Sequence, residues 1–218
     1  MSAPGLRLVT RWQNSAGERV RIALNLKGVA YDYVAVGTLE AGAYARINPQ
    51  GLLPALLIGN EVIAQSTAIL EYIEETYSEP ALLSADPVLR AQARAFGQLI
   101  TSDLHPINNA RVRRFLEHDL HVDAAGVQDW YAHWVRVSFE ALEETLRQRT
   151  TPWPFCFGEA PGWADLHLVP QMANARRFDC DLEPYPHLRA IDSRCRDLPA
   201  FRRARPEQQP DFPPAEPS

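Results

Sequence analysis

The sequence predicts an α/β domain followed by an all-α half, in a chain of 218 residues. Three observations carry this reading. Strand-prone and helix-patterned segments alternate over roughly the first 80 residues, a usual domain length. A punctuated stretch from Ser78-Glu79-Pro80 to Asp86-Pro87 then interrupts the pattern. Beyond it only helical periodicities recur, and no convincing strand is found.

The elements follow in order. Leu6-Arg7-Leu8-Val9-Thr10 is a short β-prone run. Glu18 to Lys27 places Val20, Ile22, Ala23, Leu24 and Leu26 at helical spacing and stops at Gly28, a residue suited to the position after a helix. Tyr31 to Val36 alternates as a strand, with Tyr31 and Tyr33 against Asp32 and Val34. A short helical stretch around Glu40–Arg46 ends before Asn48-Pro49. Pro54–Ile58 and Glu61–Ala64 flank Gly59-Asn60, which predicts a tight hairpin. From Ser66 the period becomes helical, with Ile69, Leu70 and Ile73 opposite Glu71, Glu74 and Glu75. The order β-α-β-α-β-β-α predicts a parallel pair followed by an antiparallel hairpin.

The expected boundaries are residues 1–84 for the α/β domain and 85–218 for the helical one. In the second, Leu89 to about Leu116 is a long helical pattern interrupted near His105-Pro106. Val127–Arg147 follows, with Trp130, Trp134, Val137, Ala141 and Leu142 at helical spacing and the tryptophans expected in the core rather than in a ligand box. Asp165–Phe178, Pro186–Cys195 and Leu198–Arg203 complete the half. The tail from about Pro206 carries Pro210, Pro213, Pro214 and Pro217, and is expected to be non-helical, either a loose strap or disordered.

Composition narrows the function. With 22 Lys+Arg against 27 Asp+Glu the net charge is −5, so no basic excess argues for nucleic acid or an anionic membrane as partner. Apolar runs such as Ile22-Ala23-Leu24 are too short to span a bilayer, and Met1-Ser2-Ala3-Pro4 has no features of a secretory leader. Cys156, Cys180 and Cys195 are odd in number and lack metal-ligand spacing, so they read as small buried hydrophobes, with no disulfide framework and no metal site. The compartment expected from this is the reducing cytoplasm.

Two short motifs carry chemistry. Leu53-Pro54 opens a strand, where a proline belongs because it lacks the N–H a ladder needs. A cis bond there leaves the backbone of Leu53 turned toward a peptide-like ligand; a trans bond makes Pro54 an ordinary strand start. Gln65-Ser66 lies where a strand gives way to a helix. Ser66 either caps that helix and nothing more, or shares the helix N-terminus with a bound carboxylate.

These residues do not stand alone. Arg19-Val20-Arg21-Ile22-Ala23-Leu24-Asn25-Leu26-Lys27-Gly28, Asn48-Pro49-Gln50, Leu53-Pro54-Ala55-Leu56 and Gln65-Ser66-Thr67-Ala68-Ile69-Leu70-Glu71-Tyr72 occur in this order. Asp103-Leu104-His105-Pro106-Ile107-Asn108-Asn109, Ala164-Asp165-Leu166, Leu168-Val169-Pro170-Gln171, Arg176-Arg177-Phe178 and Asp181-Leu182-Glu183-Pro184-Tyr185-Pro186 follow. Together they make the sequence resemble the glutathione transferase superfamily over nearly its whole length, specifically the zeta class with its maleylacetoacetate and maleylpyruvate isomerases.

The resemblance implies a thioredoxin-like N-terminal domain, a C-terminal helical bundle and a homodimer. It implies a cis Leu53-Pro54 bond, with Leu53 pairing with the cysteinyl part of glutathione. Gln65 and Ser66 would hold the γ-glutamyl carboxylate, Gln50 the glycyl arm, and His105 and Asn109 would close over the tripeptide. Asp165, with Gly162 at the cap, implies a structural helix-capping box. Arg111 and Arg176 or Arg177 match positions that clamp a dicarboxylic substrate, a bidentate task that suits arginine.

The loop before the first helix departs from the family. Gln13-Asn14-Ser15-Ala16-Gly17 replaces a stretch in which an arginine grips substrate and a hydroxyl lies beside the glutathione sulfur. A free thiol has a pKa near about 8.5, so something must stabilise the thiolate. Ser15 or the amide of Asn14 is the candidate, and Ser15 as a mere helix cap is the alternative. Three functions are expected in descending order: a glutathione-dependent isomerase of oxo-dienoic acids, a transferase or lyase acting on an unknown electrophile, and a non-catalytic glutathione-binding or interaction protein.

Overall fold

The computed structural model describes residues 5–214; Met1-Ser2-Ala3-Pro4 and the last tail proline, Pro217, lie outside the described residues. Two compact units form. One comprises the chain up to Leu82 together with the chain from Asp197 onward, and the other comprises Leu83–Arg196. The last segment thus groups with the α/β unit, whereas the sequence reading put it with the helices.

In the α/β unit, β1 (Leu6–Thr10), β2 (Tyr31–Ala35), β3 (Ala55–Ile58) and β4 (Glu61–Ala64) form one sheet in the order β2-β1-β3-β4. β1 runs parallel to β2, with Leu8 opposite Tyr33, and antiparallel to β3, with Leu8 opposite Leu56. β3 and β4 form the antiparallel hairpin. This is the expected parallel pair plus hairpin. Leu8, Leu56, Val20, Ile22 and Leu24 are buried in its core, each contributing about 1.5–3 kcal/mol by leaving water.

α1 spans Ser15–Leu26 and starts three residues before the expected Glu18. A capping side chain decides where it begins, as described below. α2 (Ala43–Ile47) is shorter than expected and follows Gly42 at φ 77°, a left-handed conformation that suits glycine. α3 spans Ser66–Thr76 and buries Ile69, Leu70 and Ile73 against the sheet. Lys27, at the end of α1, is fully buried along its side chain. It pairs with Glu74 at 2.7 Å and donates to the carbonyls of Tyr77 (2.5 Å) and Pro80 (2.9 Å), fastening the end of α3 to α1.

The helical unit begins with α4 (Pro87–Gln98), widens to a π-helical stretch over Leu99–Leu104 and ends in α5 (His105–Ile107). That widening accommodates the proline after His105, which has no N–H to donate. α6 (Ala110–His118), α7 (Ala124–Arg147), α8 (Trp163–Arg177) and α9 (Pro186–Arg196) follow. On α7 the buried stripe is Val127, Tyr131, Val135, Phe139, Leu142 and Leu146. The tryptophans expected in the core lie on the neighbouring face: Trp130 and Trp134 are half-buried. Both stripes have helical period, so periodicity alone could not choose between them. Packing against α9 did.

α8 is buried on nearly every side, and its capping box forms. Asp165 accepts from the N–H of Gly162 at 2.8 Å and from that of Cys156 at 3.0 Å. Burial raises the pKa of this carboxyl, and the bonds from Gly162 and Cys156 work against that rise.

The tail follows the strap alternative apart from one short turn. α10 (Pro199–Ala204) is followed by a 3₁₀ turn over Pro206–Gln208. Pro206 opens that turn, where the missing N–H costs nothing. Gln209 then donates through its amide to the carbonyls of Arg203 (2.9 Å) and Arg205 (2.7 Å). Pro206 starts structure here rather than preventing it. No helix among the described residues is long and apolar enough to cross a membrane.

Candidate functional site

Three loops of the α/β unit carry the residues singled out from the sequence. The first precedes α1. Asn14, with extended backbone, is the N-cap of α1, and its side-chain oxygen accepts from the N–H of Gly17. Ser15 stands inside the first turn, so the reading of Ser15 as the cap is overturned. The cap commits the amide oxygen of Asn14 and leaves its NH₂ as the donor. Gly17 is required by close approach: a Cβ there would meet Thr10 Oγ1 at 2.1 Å and Asn14 Oδ1 at 2.7 Å. The carbonyls of the loop are also held. Arg21, fully buried, donates to Arg11 and Trp12 at 3.4 Å each, and Arg11 donates to the carbonyl of Gln13 at 3.0 Å.

The second loop runs from Asn48 to Pro54. The buried Asn48 side chain and the Tyr44 hydroxyl both donate to the carbonyl of Leu52 at 2.7 Å. Asn48 also accepts from the N–H of Gln50 at 3.1 Å. These bonds shape the backbone just before Leu53-Pro54, whose peptide bond is cis. Desolvation raises the Tyr44 phenol, which keeps it a donor at neutral pH.

The third loop joins β4 to α3. Gln65 has φ 69° and ψ 117°, a conformation that non-glycine residues rarely adopt and that costs about 1–3 kcal/mol. Its side chain donates to Gln50 Oε1 at 2.6 Å, so the structure brings these two candidates together. Gln65, rather than Ser66, stands at the cap position, which corrects the expectation that Ser66 is the N-cap. Ser66 is the first helical residue, buried, and its hydroxyl accepts from Arg19 Nη1 at 3.4 Å.

Arg19 was not singled out by sequence. It is 1% exposed, and its Nε and Nη2 have no hydrogen-bond partner among the described residues. Burial pushes its pKa down to about 10, opposed by the nearby charge of Glu18. The available signal was an arginine on a helical stretch whose neighbours, Val20, Ile22 and Ala23, are all buried.

The remaining candidates belong to the helical unit. His105 opens α5 just after the π-helical stretch. Asn109 caps α6, accepting from the N–H of Arg111 at 3.1 Å, and Arg111 is exposed. Asn108, its buried neighbour, donates to the carbonyl of Tyr131. Arg176 is tied to the buried carboxylate of Asp192. Arg177 lies over the ring of Phe178 at 4.7 Å, and Arg113 over the same ring at 4.4 Å. Among the described residues no cluster of His, Cys, Asp or Glu has the makings of a metal site.

A four-stranded sheet with a cis-proline at a strand start, joined to a helical bundle, is the architecture of the glutathione transferases. The family model described as "Glutathione S-transferase, N-terminal domain" matches residues 14–81. A maleylpyruvate isomerase of Ralstonia sp is 44% identical over 94% of this chain and 99% of its own length. The solved holo structure of a maleylpyruvate isomerase, described as a bacterial zeta-class glutathione S-transferase, superposes with a TM-score of 0.90. It is 43% identical over 95% of this chain and 100% of its own. A maleylacetoacetate isomerase from Anaeromyxobacter dehalogenans, with dicarboxyethyl glutathione and citrate in its active site, gives a TM-score of 0.87. It is 39% identical over 98% of this chain and 100% of its own. The chain belongs to the glutathione S-transferase family, in the zeta class beside the maleylpyruvate and maleylacetoacetate isomerases.

Proposed function

We propose that this protein is a glutathione-dependent cis–trans isomerase of oxo-dienoic acids of the maleylpyruvate and maleylacetoacetate type. The observation that carries the reading is the anion cradle at the start of α3. Gln65 is held at positive φ, Ser66 lies at the helix N-terminus, and the buried guanidinium of Arg19 stands behind it with two unpartnered nitrogens. Such a set favours a carboxylate, as in the γ-glutamyl end of glutathione.

When bound, glutathione supplies a thiolate that adds reversibly to the substrate double bond, so that rotation precedes its release. The chain's residues do the rest. Gln65 and Ser66 hold the γ-glutamyl carboxylate, Gln50 lies by the glycyl arm, and the backbone of Leu53 before Pro54 pairs with the cysteinyl peptide. Ser15 or the amide NH₂ of Asn14 stabilises the thiolate near neutral pH. His105 and Asn109 are the helical unit's candidates for binding glutathione. Arg111 and Arg177 are the substrate clamps; Arg176 is already engaged by Asp192. The assembly is the family's usual homodimer and the compartment is the cytoplasm.

One observation favours a second reading. Gln13 stands where the family's substrate-gripping arginine belongs, which leaves the dicarboxylate clamp one member short. A transferase or lyase that consumes glutathione on another electrophile needs no such clamp. Incubating the protein with maleylpyruvate and substoichiometric glutathione decides. Multiple turnovers with glutathione unconsumed support the isomerase; no turnover, alongside glutathione loss on model electrophiles, replaces it with the transferase.

A further inference from the structure

The loop that carries Gln13, Asn14 and Ser15 is fastened by the far end of the chain. Asp211 accepts with both carboxylate oxygens: from the backbone N–H of Trp12 at 3.1 Å and from the hydroxyl of Tyr33 on β2 at 2.6 Å. The ring of Phe212 meets the Trp12 indole edge-to-face, with centroids 5.1 Å apart at 84°. Arg21 completes the arrangement from below, donating to the carbonyls of Arg11 and Trp12 and, through Nε, to that of Ala204 at 3.0 Å. The peptide groups on both sides of Trp12 are therefore fixed, the N–H by Asp211 and the carbonyl by Arg21. Burial and the bond to Asp211 raise the Tyr33 phenol, so it remains a donor at neutral pH.

Trp12 is the residue immediately before Gln13. With the Trp12 peptide plane set, the direction in which Gln13 and Asn14 leave it is set as well. Beyond Thr10 the loop has no strand partner, so these contacts orient it together with the Arg11 bond to Gln13 and the Asn14 cap. Trp12 and Asp211 are 199 residues apart in sequence, so their contact forms only once the α/β unit has folded around its own C-terminal segment. A misplacement of about 1 Å in a positioning element can cost about a hundredfold in rate.

We propose that Gln209–Phe212 is a clasp that positions the catalytic loop, with Asp211 as its positioning residue. It touches no reacting atom. It sets where the thiolate-facing side chains of the following residues stand, while the γ-glutamyl cradle at α3 is built without it. The proposal rests on the isomerase reading for its kinetic readout and on the structure alone for its second readout.

The test compares Asp211→Ala, Asp211→Asn and a chain ended after Gln209, which keeps the bonds of Gln209 to Arg203 and Arg205. Glutathione affinity is measured by calorimetry, isomerisation of maleylpyruvate by kcat and KM, and amide exchange of Trp12 to Ala16 by mass spectrometry. Asp211→Ala and the shortened chain are expected to lose about tenfold to a hundredfold in kcat. Their glutathione Kd should stay within about twofold, and amide exchange at the loop should quicken at least about tenfold. Asp211→Asn restores most of kcat, because its amide oxygen still accepts from Trp12 and its NH₂ can donate to the Tyr33 oxygen. Unchanged exchange in Asp211→Ala overturns the clasp, as does kcat falling only in step with glutathione affinity. If the unaltered protein does not isomerise maleylpyruvate, the isomerase reading fails, and the exchange measurement still decides the clasp.

Discussion

The guanidinium of Arg19 reaches the hydroxyl of Ser66 across 3.4 Å at the start of α3, with its other two nitrogens unpartnered inside the α/β unit. An uncompensated buried charge is costly to a ligand-free fold, whereas an arriving carboxylate converts that cost into a charge-assisted bond. Arg19→Met is therefore expected to leave the melting temperature of the free protein unchanged or raised. Glutathione affinity should fall by about tenfold or more, the effect of losing a hydrogen bond to a charged group. Calorimetric titration checks this, and an unchanged Kd would reduce Arg19 to a structural role.

Asn14 and Gly17 form one unit at the other loop. Asn14→Ala removes the cap of α1 and is expected to cost about 1 kcal/mol in chemical denaturation. Asn14→Ser keeps a capping oxygen, so stability should hold within about 0.5 kcal/mol. Gly17→Ala drives a Cβ to 2.1 Å from Thr10 Oγ1 and 2.7 Å from Asn14 Oδ1. It is expected to lose about 1–3 kcal/mol as an overpacked site and, by displacing Asn14, most isomerase activity.

Gln13→Arg returns the missing clamp residue. Its expected effect is a lower KM for maleylpyruvate with little change in glutathione affinity, since a guanidinium offers two parallel bonds to a carboxylate. Steady-state kinetics at saturating glutathione measure it. Activity that exists only in this variant would show that the natural substrate is not a dicarboxylate.

Lys27 is buried and its partner Glu74 partly so, with side-chain exposures of 0% and 14%. Lys27→Met takes from Glu74 its cationic partner, leaving the bonds from the Leu82 N–H, and leaves the carbonyls of Tyr77 and Pro80 without this donor. The expected loss is about 3–5 kcal/mol, read from urea denaturation. The double variant Lys27→Met with Glu74→Leu should recover part of it.

The protein's own thiols are expected to stay silent at neutral pH. Cys156 and Cys195 are buried, with thiols raised by burial, and Cys180 is pushed up to about 11 by partial burial and then by Asp179. A raised thiol pKa means less thiolate at any pH below it, so alkylation of Cys180 should be slow at pH 7 and quicken about tenfold per pH unit toward 9. Mass spectrometry of iodoacetamide-treated protein checks the slope. Rapid labelling at pH 7 would contradict it.

The order of elements in the α/β unit, the Gly59-Asn60 hairpin and the helical character of the second half were legible in the sequence, because each rests on local period and turn chemistry. So were Leu53-Pro54 and the pair Gln50 and Gln65, once the motifs were set in order. The contact between those glutamines was not legible, since it depends on how two loops 15 residues apart fold back. Helix starts were less reliable: a polar cap, Asn14, and not the first apolar residue decides where α1 begins. On α7 two stripes of equal period competed, and burial went to Tyr131 and Phe139 instead of Trp130 and Trp134.

By itself the sequence determined the fold class and picked out Leu53-Pro54 and Gln65-Ser66 as candidates, because hydrophobic period, turn residues and linear motifs are local quantities. The tertiary structure alone decided that Arg19 stands behind Ser66, that Arg21 and Asp211 hold Trp12 from both sides, and that the proline-rich tail is a built part of the α/β unit. The contacts of Arg19 with Ser66 and of Asp211 with Trp12 join residues far apart in the chain, and the Arg21 bond to Trp12 joins a loop to the helix that follows it. Their energy comes from burial and from the absence of competing water, which no stretch of sequence records.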